Sequence, residues 1–423
     1  MEKENSKSLS SFVFLPLLSL IFIRPFISGL AYPVFEFWYE IFVVTIAIIA
    51  SIPLIRHRES PTATHGVGYG YPILLLLSAY IISTITSINA HNSLKETLKF
   101  ISYISIFFCV SRADESQKKT IIKAMLISAF IISLYAIYQY FWGYQHTIDY
   151  LRRTGNDTLL NSSYARDVLI AKRAIGTFPS PNIFGGYLIM ILFLSLYVYF
   201  STRFAHSKNI VRVKPTGLSR ELFEAFPFVL IVSALILTKS LGAWLSLIVC
   251  LIILFFISYN NLRNKKIILI ASGLSVAFVL LFIILNRWER LMNLENPQNS
   301  ITQRINYWRT AIAVIKDHPI LGVGPGNFQE VFLKYKVGLS TNTRYAHNIF
   351  LQMWAEAGIL GFAGIVFLII SIFKSYKPQN KYIFLACIAF LLHNFIDNSY
   401  FIPEAGFAWW ILLGLLIKNF HVN

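Results

Sequence analysis

Residues 349–373 read IFLQMWAEAGILGFAGIVFLIISIF, an apolar run with a single charge, Glu356, in its first third. As a helix rising about 1.5 Å per residue, such a run crosses the roughly 30 Å of hydrocarbon in a bilayer. Helices are the natural way to satisfy its backbone there. Similar runs recur along all 423 residues, of which 56% are hydrophobic and 13% charged. An ordinary soluble domain carries about a quarter charged residues, so this chain has too little polar surface to cover a soluble globule. The pattern predicts an all-α polytopic membrane protein with about twelve spans: Phe12–Leu30, Trp38–Ile55, Tyr71–Ile88, Leu98–Val110, Ile121–Trp142, Asn182–Phe200, Phe226–Thr238, Gly242–Ser258, Ile267–Leu285, Ile349–Phe373, Tyr382–Ile396 and Phe401–Ile417. The fourth and seventh are short as apolar runs; they either extend over polar flanks or are re-entrant or interfacial, which leaves the count open by one or two.

The net charge of +17 is explained by topology, with no basic stretch set in a compact soluble pattern that would suggest nucleic acid. Short cytoplasmic loops retain lysine and arginine. Nineteen such residues fall on the side of the termini: Lys3, Lys7, Arg56, Arg58, Arg112, Lys118, Lys119, Arg203, Lys208, Arg212, Lys214, Arg220, Arg263, Lys265, Lys266, Lys374, Lys377, Lys381 and Lys418. Only Lys95, Lys99 and Lys239 fall on the short connections opposite, which puts both termini in the cytoplasm. The polar start, Met1 to Ser10, lacks a clear cleavage site after the first apolar run, so that run is read as a retained helix. Cys109, Cys250 and Cys387 lie in apolar runs without metal-like spacing and are read as packing residues. Without internal repeats or an appended soluble domain, 1–423 is read as one membrane domain.

Two long segments, 143–181 and 286–346, then fall on the outer face, and both are basic. A solvated surface explains that charge, as does an anionic ligand outside the membrane. In the second, between the ninth and tenth spans, Ile301, Ile305, Trp308, Ile312 and Ile315 recur at three- and four-residue steps. This spacing predicts a surface amphipathic helix that stops near Asp317-His318-Pro319, before a turn of Gly322, Gly324, Pro325 and Gly326.

The strongest local signal is Arg344-Tyr345-Ala346-His347-Asn348, where this loop enters the tenth span, followed by Gln352, Glu356 and Gly358. Asn348, Gln352 and Glu356 share one helical face and predict a polar strip dipping into the membrane, where ionisable groups usually face a cavity. An ordinary cap explains Asn348 alone. A second string runs from Arg173 to Pro181-Asn182, a plausible helix start; a third, Thr238-Lys239-Ser240-Leu241-Gly242, is a tight turn in which Lys239 either snorkels or binds. Arg304 lies beside the apolar stripe, one turn before Trp308. His393, Asn394 and Asp397 also approach the outer face, where a structural polar pair is at least as good a reading. No Walker motif, GxGxxG after a strand, HExxH or serine elbow is present.

These strings resemble the bacterial O-antigen ligase family and its relatives, the O-antigen polymerases. The resemblance is carried by Arg304, Trp308, Asp317-His318-Pro319, Gly322-Val323-Gly324-Pro325-Gly326-Asn327, Ala346-His347-Asn348 and Glu356-Ala357-Gly358, with Arg173 to Asn182 resembling an earlier motif. It covers roughly 173–361. One departure stands out: where family members commonly show Ser-Arg-Gly, this chain has Ser240-Leu241-Gly242, with Lys239 the nearest cation. A lysine offers a point charge and no bidentate fork.

The resemblance implies transfer of a glycan from a polyprenyl-diphosphate carrier to a hydroxyl of lipid A-core on the outer face of the inner membrane. The residues suit that chemistry. Arg173, Arg304 and Lys239 could grip a leaving diphosphate without a metal or other cofactor, and His347 is the base candidate. Tyr345, Asn348, Gln352 and Glu356 are candidates to line the substrate cavity. Direct attack on the anomeric carbon would invert it. Two alternatives stay open: a polymerase of the same superfamily, whose acceptor is a second lipid-linked glycan, and a transporter of lipid-linked glycan, although no symmetry between halves is visible.

Overall fold

The computed structural model describes residues 9–56, 68–207, 218–258, 273, 281, 292–297 and 299–417, and every regular element among them is helical. The ninth expected span, Ile267–Leu285, lies outside these residues apart from 273 and 281, as do the cations Lys3, Lys7, Arg58, Lys208, Arg212, Lys214, Arg263, Lys265, Lys266, Arg287, Arg290 and Lys418. We label the principal helices α1 (Ser11–Ile23), α2 (Pro33–Arg56), α3 (Gly70–Ile85), α4 (Ala90–Arg112), α5 (Glu115–Tyr138), α6 (Tyr144–Arg153), α7 (Pro181–Ser207), α8 (Leu218–Thr238), α9 (Leu241–Ser258), α10 (Ser300–Asp317), α11 (Phe328–Tyr335), α12 (Ile349–Lys374), α13 (Lys381–His393) and α14 (Pro403–Leu416).

Local chemistry sets many of the starts. Asn89, Asn299 and Asn348 cap α4, α10 and α12 by accepting from backbone N–H groups, and Asp114 with Gln117 forms a reciprocal capping box on α5. Proline opens α2, α7 and α14, where its missing N–H costs nothing. Among the described residues, five stretches are long and apolar enough to cross a membrane: Pro33–Ile52, Glu115–Arg153, Pro181–Ser201, Leu241–Ser258 and Ile349–Lys374.

The elements depart from the expected spans in informative places. Lys95 and Lys99, expected in a connection, lie inside α4, which extends over both polar flanks of the fourth apolar run. Lys99 is buried there because the Phe401 carbonyl accepts from its Nζ at 2.9 Å and Glu96 pairs with it. Gly143 does not start a loop. One π-helical turn, Gln139–Gly143, carries α5 directly into α6, with Tyr135, Tyr138 and Trp142 stacked in succession along it.

The last three helices sit centrally against early ones: α12 on α3, α13 on α7 and α9, and α14 on α4. All of α14 is buried, Trp409 and Trp410 included, as expected for a helix apolar on every side. Outside this main core, Tyr307, Ala311, Val314, Phe328 and Phe332 of α10 and α11 form a second core with Ala346 and Ala355. The predicted stop of α10 is where it was expected, with His318 as the residue after the last turn.

A break in α12 fastens this outer cap. Gly358 has φ 65° and ψ −166°, a conformation open almost only to glycine. The carbonyls of Ala355 and Glu356, freed from the helix ladder, accept from the N–H groups of Val323 and Gly324 at 2.9 Å, and Ile359 N–H donates to the Pro319 carbonyl at 3.1 Å. The Phe328 N–H donates at 3.0 Å to the Glu356 carboxylate. A Cβ on Gly358 would run into the Ile320 carbonyl, and one on Gly322 into that of Glu356. Gly358→Ala is therefore expected to cost more than about 2 kcal/mol, whereas Gly70→Ala, with open space around it, should be close to neutral. Thermal unfolding of both variants in detergent checks this; equal melting temperatures would refute the clamp.

Candidate active site

Among the described residues, three that are not glycine have positive φ: Lys172 at 46°, Lys239 at 51° and His347 at 54°. A left-handed backbone costs such residues about 1 kcal/mol or more, and strain of this kind clusters at functional sites. Lys239 and His347 lie in strings that the sequence singles out, and Lys172 directly precedes the string that begins at Arg173.

His347 is held from both sides. Ala346 N–H donates to Gln352 Oε1 at 2.6 Å, and Asn348 Oδ1 accepts from Phe350 and Leu351 N–H at 3.0 Å, so the residue between has little freedom. Its ring stacks on Tyr307, centroids 5.5 Å apart, and its carbonyl accepts from the Trp308 indole at 3.4 Å. The imidazole is half-buried, and its Nδ1 makes no hydrogen bond among the described residues. Loss of water around the ring pushes its pKa from 6.5 down to about 4; the Asp397 charge opposes this and Arg304 adds to it. At neutral pH the ring is an uncharged proton acceptor.

Arg304 reaches the same place from α10. Its Nε donates to the Ile396 carbonyl at 2.7 Å and Nη1 to Ser300 at 3.2 Å, while Nη2 stands 3.5 Å from Asp397. Asp397 is buried and accepts from Asn398 N–H at 2.9 Å and from the Ser399 hydroxyl at 3.2 Å. Burial would raise its carboxyl, but His393, His347, Arg304 and the Asn398 amide together hold it below the usual carboxylate range. His393 Nε2 lies 3.9 Å from the same carboxylate.

Arg173 and Lys239 form a second cluster. The buried Arg173 guanidinium donates to both Asp167 oxygens at 2.8 and 2.7 Å, to Asn182 at 2.8 Å and to the Thr238 carbonyl at 3.0 Å. Lys239 Nζ donates to the Ala171 carbonyl at 2.9 Å and lies over the Tyr140 ring. Leu241, where an arginine is common, packs its side chain against the main core. The two clusters meet at His393, whose ring fills the space beside Gly186 of α7 and Gly242 of α9 and leaves no room for a Cβ at either. In the sequence alone Asp397 carries one signal, a carboxylate at the end of an apolar run; the fold makes it the charge that faces Arg304, His347 and His393.

The polar strip on α12 separates by role. Gln352 is fully buried on the Ala346 amide and Glu356 on the glycine-rich turn, while Asn348 caps the helix and reaches the Phe395 carbonyl. Of these four candidates only Tyr345 lines the large cavity near the site, which has a volume of about 840 Å³. Tyr345 stacks on Phe401, and burial pushes its phenol up to about 12.

The long apolar helices make this a membrane protein, and residues 226–366 match the family model described as O-antigen ligase. The matched stretch holds Lys239, Arg304, Tyr345, His347, Asn348, Gln352 and Glu356, which substantiates the resemblance read from the motifs; Arg173 lies outside it. An uncharacterized protein of Haemophilus influenzae is 24% identical over 207 residues, covering 43% of this chain and 52% of the relative, so the chain spans about half the length of the curated relative it matches.

The backbone at position 347 yields a direct test. Glycine tolerates φ 54° and alanine does not, so His347→Gly should be more stable than His347→Ala by about 0.5–1 kcal/mol, although both lack the ring. Arg173→Lys has one nitrogen where three now reach Asp167, Asn182 and the Thr238 carbonyl, and should cost about 1–3 kcal/mol. Tryptophan fluorescence on heating measures both; an Ala variant as stable as the Gly variant would argue against strain at 347.

Proposed function

We propose that the protein is a metal-independent, inverting glycosyltransferase that moves a glycan from a polyprenyl-diphosphate carrier to an acceptor hydroxyl of lipid A-core. The loop charges support twelve spans with both termini in the cytoplasm of a bacterial cell, one membrane domain over 1–423, and a site on the outer face of the inner membrane, built with the segments 143–181, which opens on helix α6, and 286–346. The observation that carries the reading is the convergence of a neutral His347, Arg304 and Asp397 at one helix entry.

In this mechanism the acceptor hydroxyl loses its proton to His347 as its oxygen bonds to the anomeric carbon. The bond from that carbon to the diphosphate breaks, and its electron pair leaves with the phosphate oxygen. Direct displacement inverts the configuration. Arg304 receives the developing charge. Its 3.5 Å contact to Asp397 is long for a charge-assisted hydrogen bond, typically about 2.7–2.9 Å, so Nη2 can turn to a phosphate at little loss. Arg173 and Lys239 would contribute by leaving Asp167 and the Ala171 carbonyl for the second phosphate. Asn348, Gln352 and Glu356 set the cavity wall through the backbone that they hold. The match to an O-antigen ligase model favours this over a transporter, which would form no covalent product.

Purified protein given a polyprenyl-diphosphate glycan should elongate core lipid when that acceptor is supplied. Ladder growth from donor alone would indicate a polymerase, and no covalent product would remove the enzymatic reading. His347→Ala should lower the rate by about 10² or more, and Arg304→Ala by about 10²–10³, with Arg304→Lys recovering only part. Because the folded pKa of His347 is depressed, its base form persists as pH falls through 6.5 and is lost only near 4. The acid limb of kcat/KM should accordingly lie near pH 4–5; a limb centred on 6.5 would contradict the environment described.

A further inference from the structure

The 840 Å³ cavity meets the catalytic cluster only at Tyr345 and otherwise opens among the starts of α2 and α4 and the body of α11. Its size lies toward the upper end of small-molecule pockets, about 300–1,000 Å³. Glu36 and Glu40 project into it one helical turn apart from α2, which is otherwise apolar through Ile52. The two carboxylates differ. Glu36 is held through one oxygen, which accepts from the buried Arg24 at 2.6 Å, while its other oxygen is buried without a hydrogen-bond partner among the described residues. Glu40 is only 5% exposed, yet among the described residues its carboxylate makes no hydrogen bond or ion pair. The Glu40 carboxyl group therefore opens to the cavity itself, and an ionisable side chain on a membrane helix usually faces a cavity that serves function.

The surrounding chemistry narrows that ligand. The cations of the wall are largely spent: Lys99 on Glu96 and the Phe401 carbonyl, Arg344 on Glu96 at 3.0 Å. A diphosphate would therefore meet Glu40 without a free cation beside it, apart from Lys95. A metal ion needs converging oxygens, and Glu36 and Glu96 are turned to other partners. A neutral molecule with many hydroxyls and an apolar ring face fits: hydroxyls meet the Glu40 carboxyl group, and the face lies on the exposed ring of Phe37.

We propose that this cavity is a saccharide-binding site for the sugars that adjoin the reacting end of the glycan, with the Glu40 carboxylate accepting hydrogen bonds from ring hydroxyls. The proposal rests on the glycan-transfer reading and names where that substrate is recognised. Donor glycan and acceptor core share this chemistry.

The test uses the full chain in phospholipid nanodiscs and two carrier-free probes released by mild acid from the organism's own envelope: the O-glycan oligosaccharide and the core oligosaccharide. Calorimetry should show one of them binding the wild type, which identifies the source, with Glu40→Gln at least tenfold weaker and His347→Ala unchanged. Phe37→Ala, at a residue 48% exposed, should also weaken binding. Binding of neither probe, or equal binding by wild type, Glu40→Gln and Phe37→Ala, would overturn the proposal. If a probe binds through Glu40 but no transfer product forms from donor and acceptor, the saccharide site stands and the glycosyltransferase reading falls. If transfer proceeds and Glu40→Gln leaves KM unaltered, the saccharide site falls alone.

Discussion

Everything on the candidate working side depends on the interruption of one apolar helix at Gly358. A continuous helix would spend the Ala355 and Glu356 carbonyls on its own ladder, and in a membrane no water is present to satisfy an open one. Breaking the ladder releases them to the N–H groups of Val323 and Gly324, so a segment hundreds of residues from the early helices gains a rigid seat. The same seat is bolted from the other side: the Ser93 hydroxyl donates to the Pro325 carbonyl and Asn327 reaches Ser93 and Asn89. α10 and α11 then close a small core over the entry to α12.

That seat dictates the electrostatics. With Ala346 pinned by Gln352 and α12 capped by Asn348, the chain turns through a left-handed residue at His347 and presses its ring on Tyr307. Arg304 comes to Asp397 from α10, and Asp397 comes from the connection between α13 and α14. Three elements far apart in sequence thus share one buried charge, and the ring stays neutral because desolvation outweighs that charge. Arg173 and Lys239 enter through His393, which packs into glycine-lined space on α7 and α9. The replacement of a common arginine by Leu241 is accommodated by packing, with the nearby cation held on a backbone carbonyl.

A division of labour follows from these arrangements. Charge stabilisation and proton transfer suit the strained cluster, whose groups are positioned by backbone more than by one another. Recognition suits the roomier cavity, where an unspent carboxylate faces aromatic walls. Tyr345 is common to both, stacked on Phe401 and two residues from His347, which on the proposed reading would give bound sugars and the reacting centre a fixed relation.

Much of this was legible in the chain itself. Hydropathy over twenty residues marks membrane helices because the bilayer imposes one length scale. Caps at Asn348 and Asn299, the stop of α10 before Pro319 and the glycine turn after it follow from interactions reaching only a few residues. The residue types able to do the chemistry were likewise visible as strings. What the strings could not reveal is which polar groups are spent. Gln352 and Glu356 read as a strip facing a cavity but are consumed by backbone N–H groups, and Arg173 read as a free cation but is enclosed by Asp167, Asn182 and Thr238. Glu40, unremarked in an apolar run, is among the described residues a carboxyl group that opens to the cavity. Helix identity is decided locally, by hydropathy and caps; whether a side chain is satisfied is decided by partners such as Glu96 and Arg344, 248 residues apart, which only the folded chain brings together.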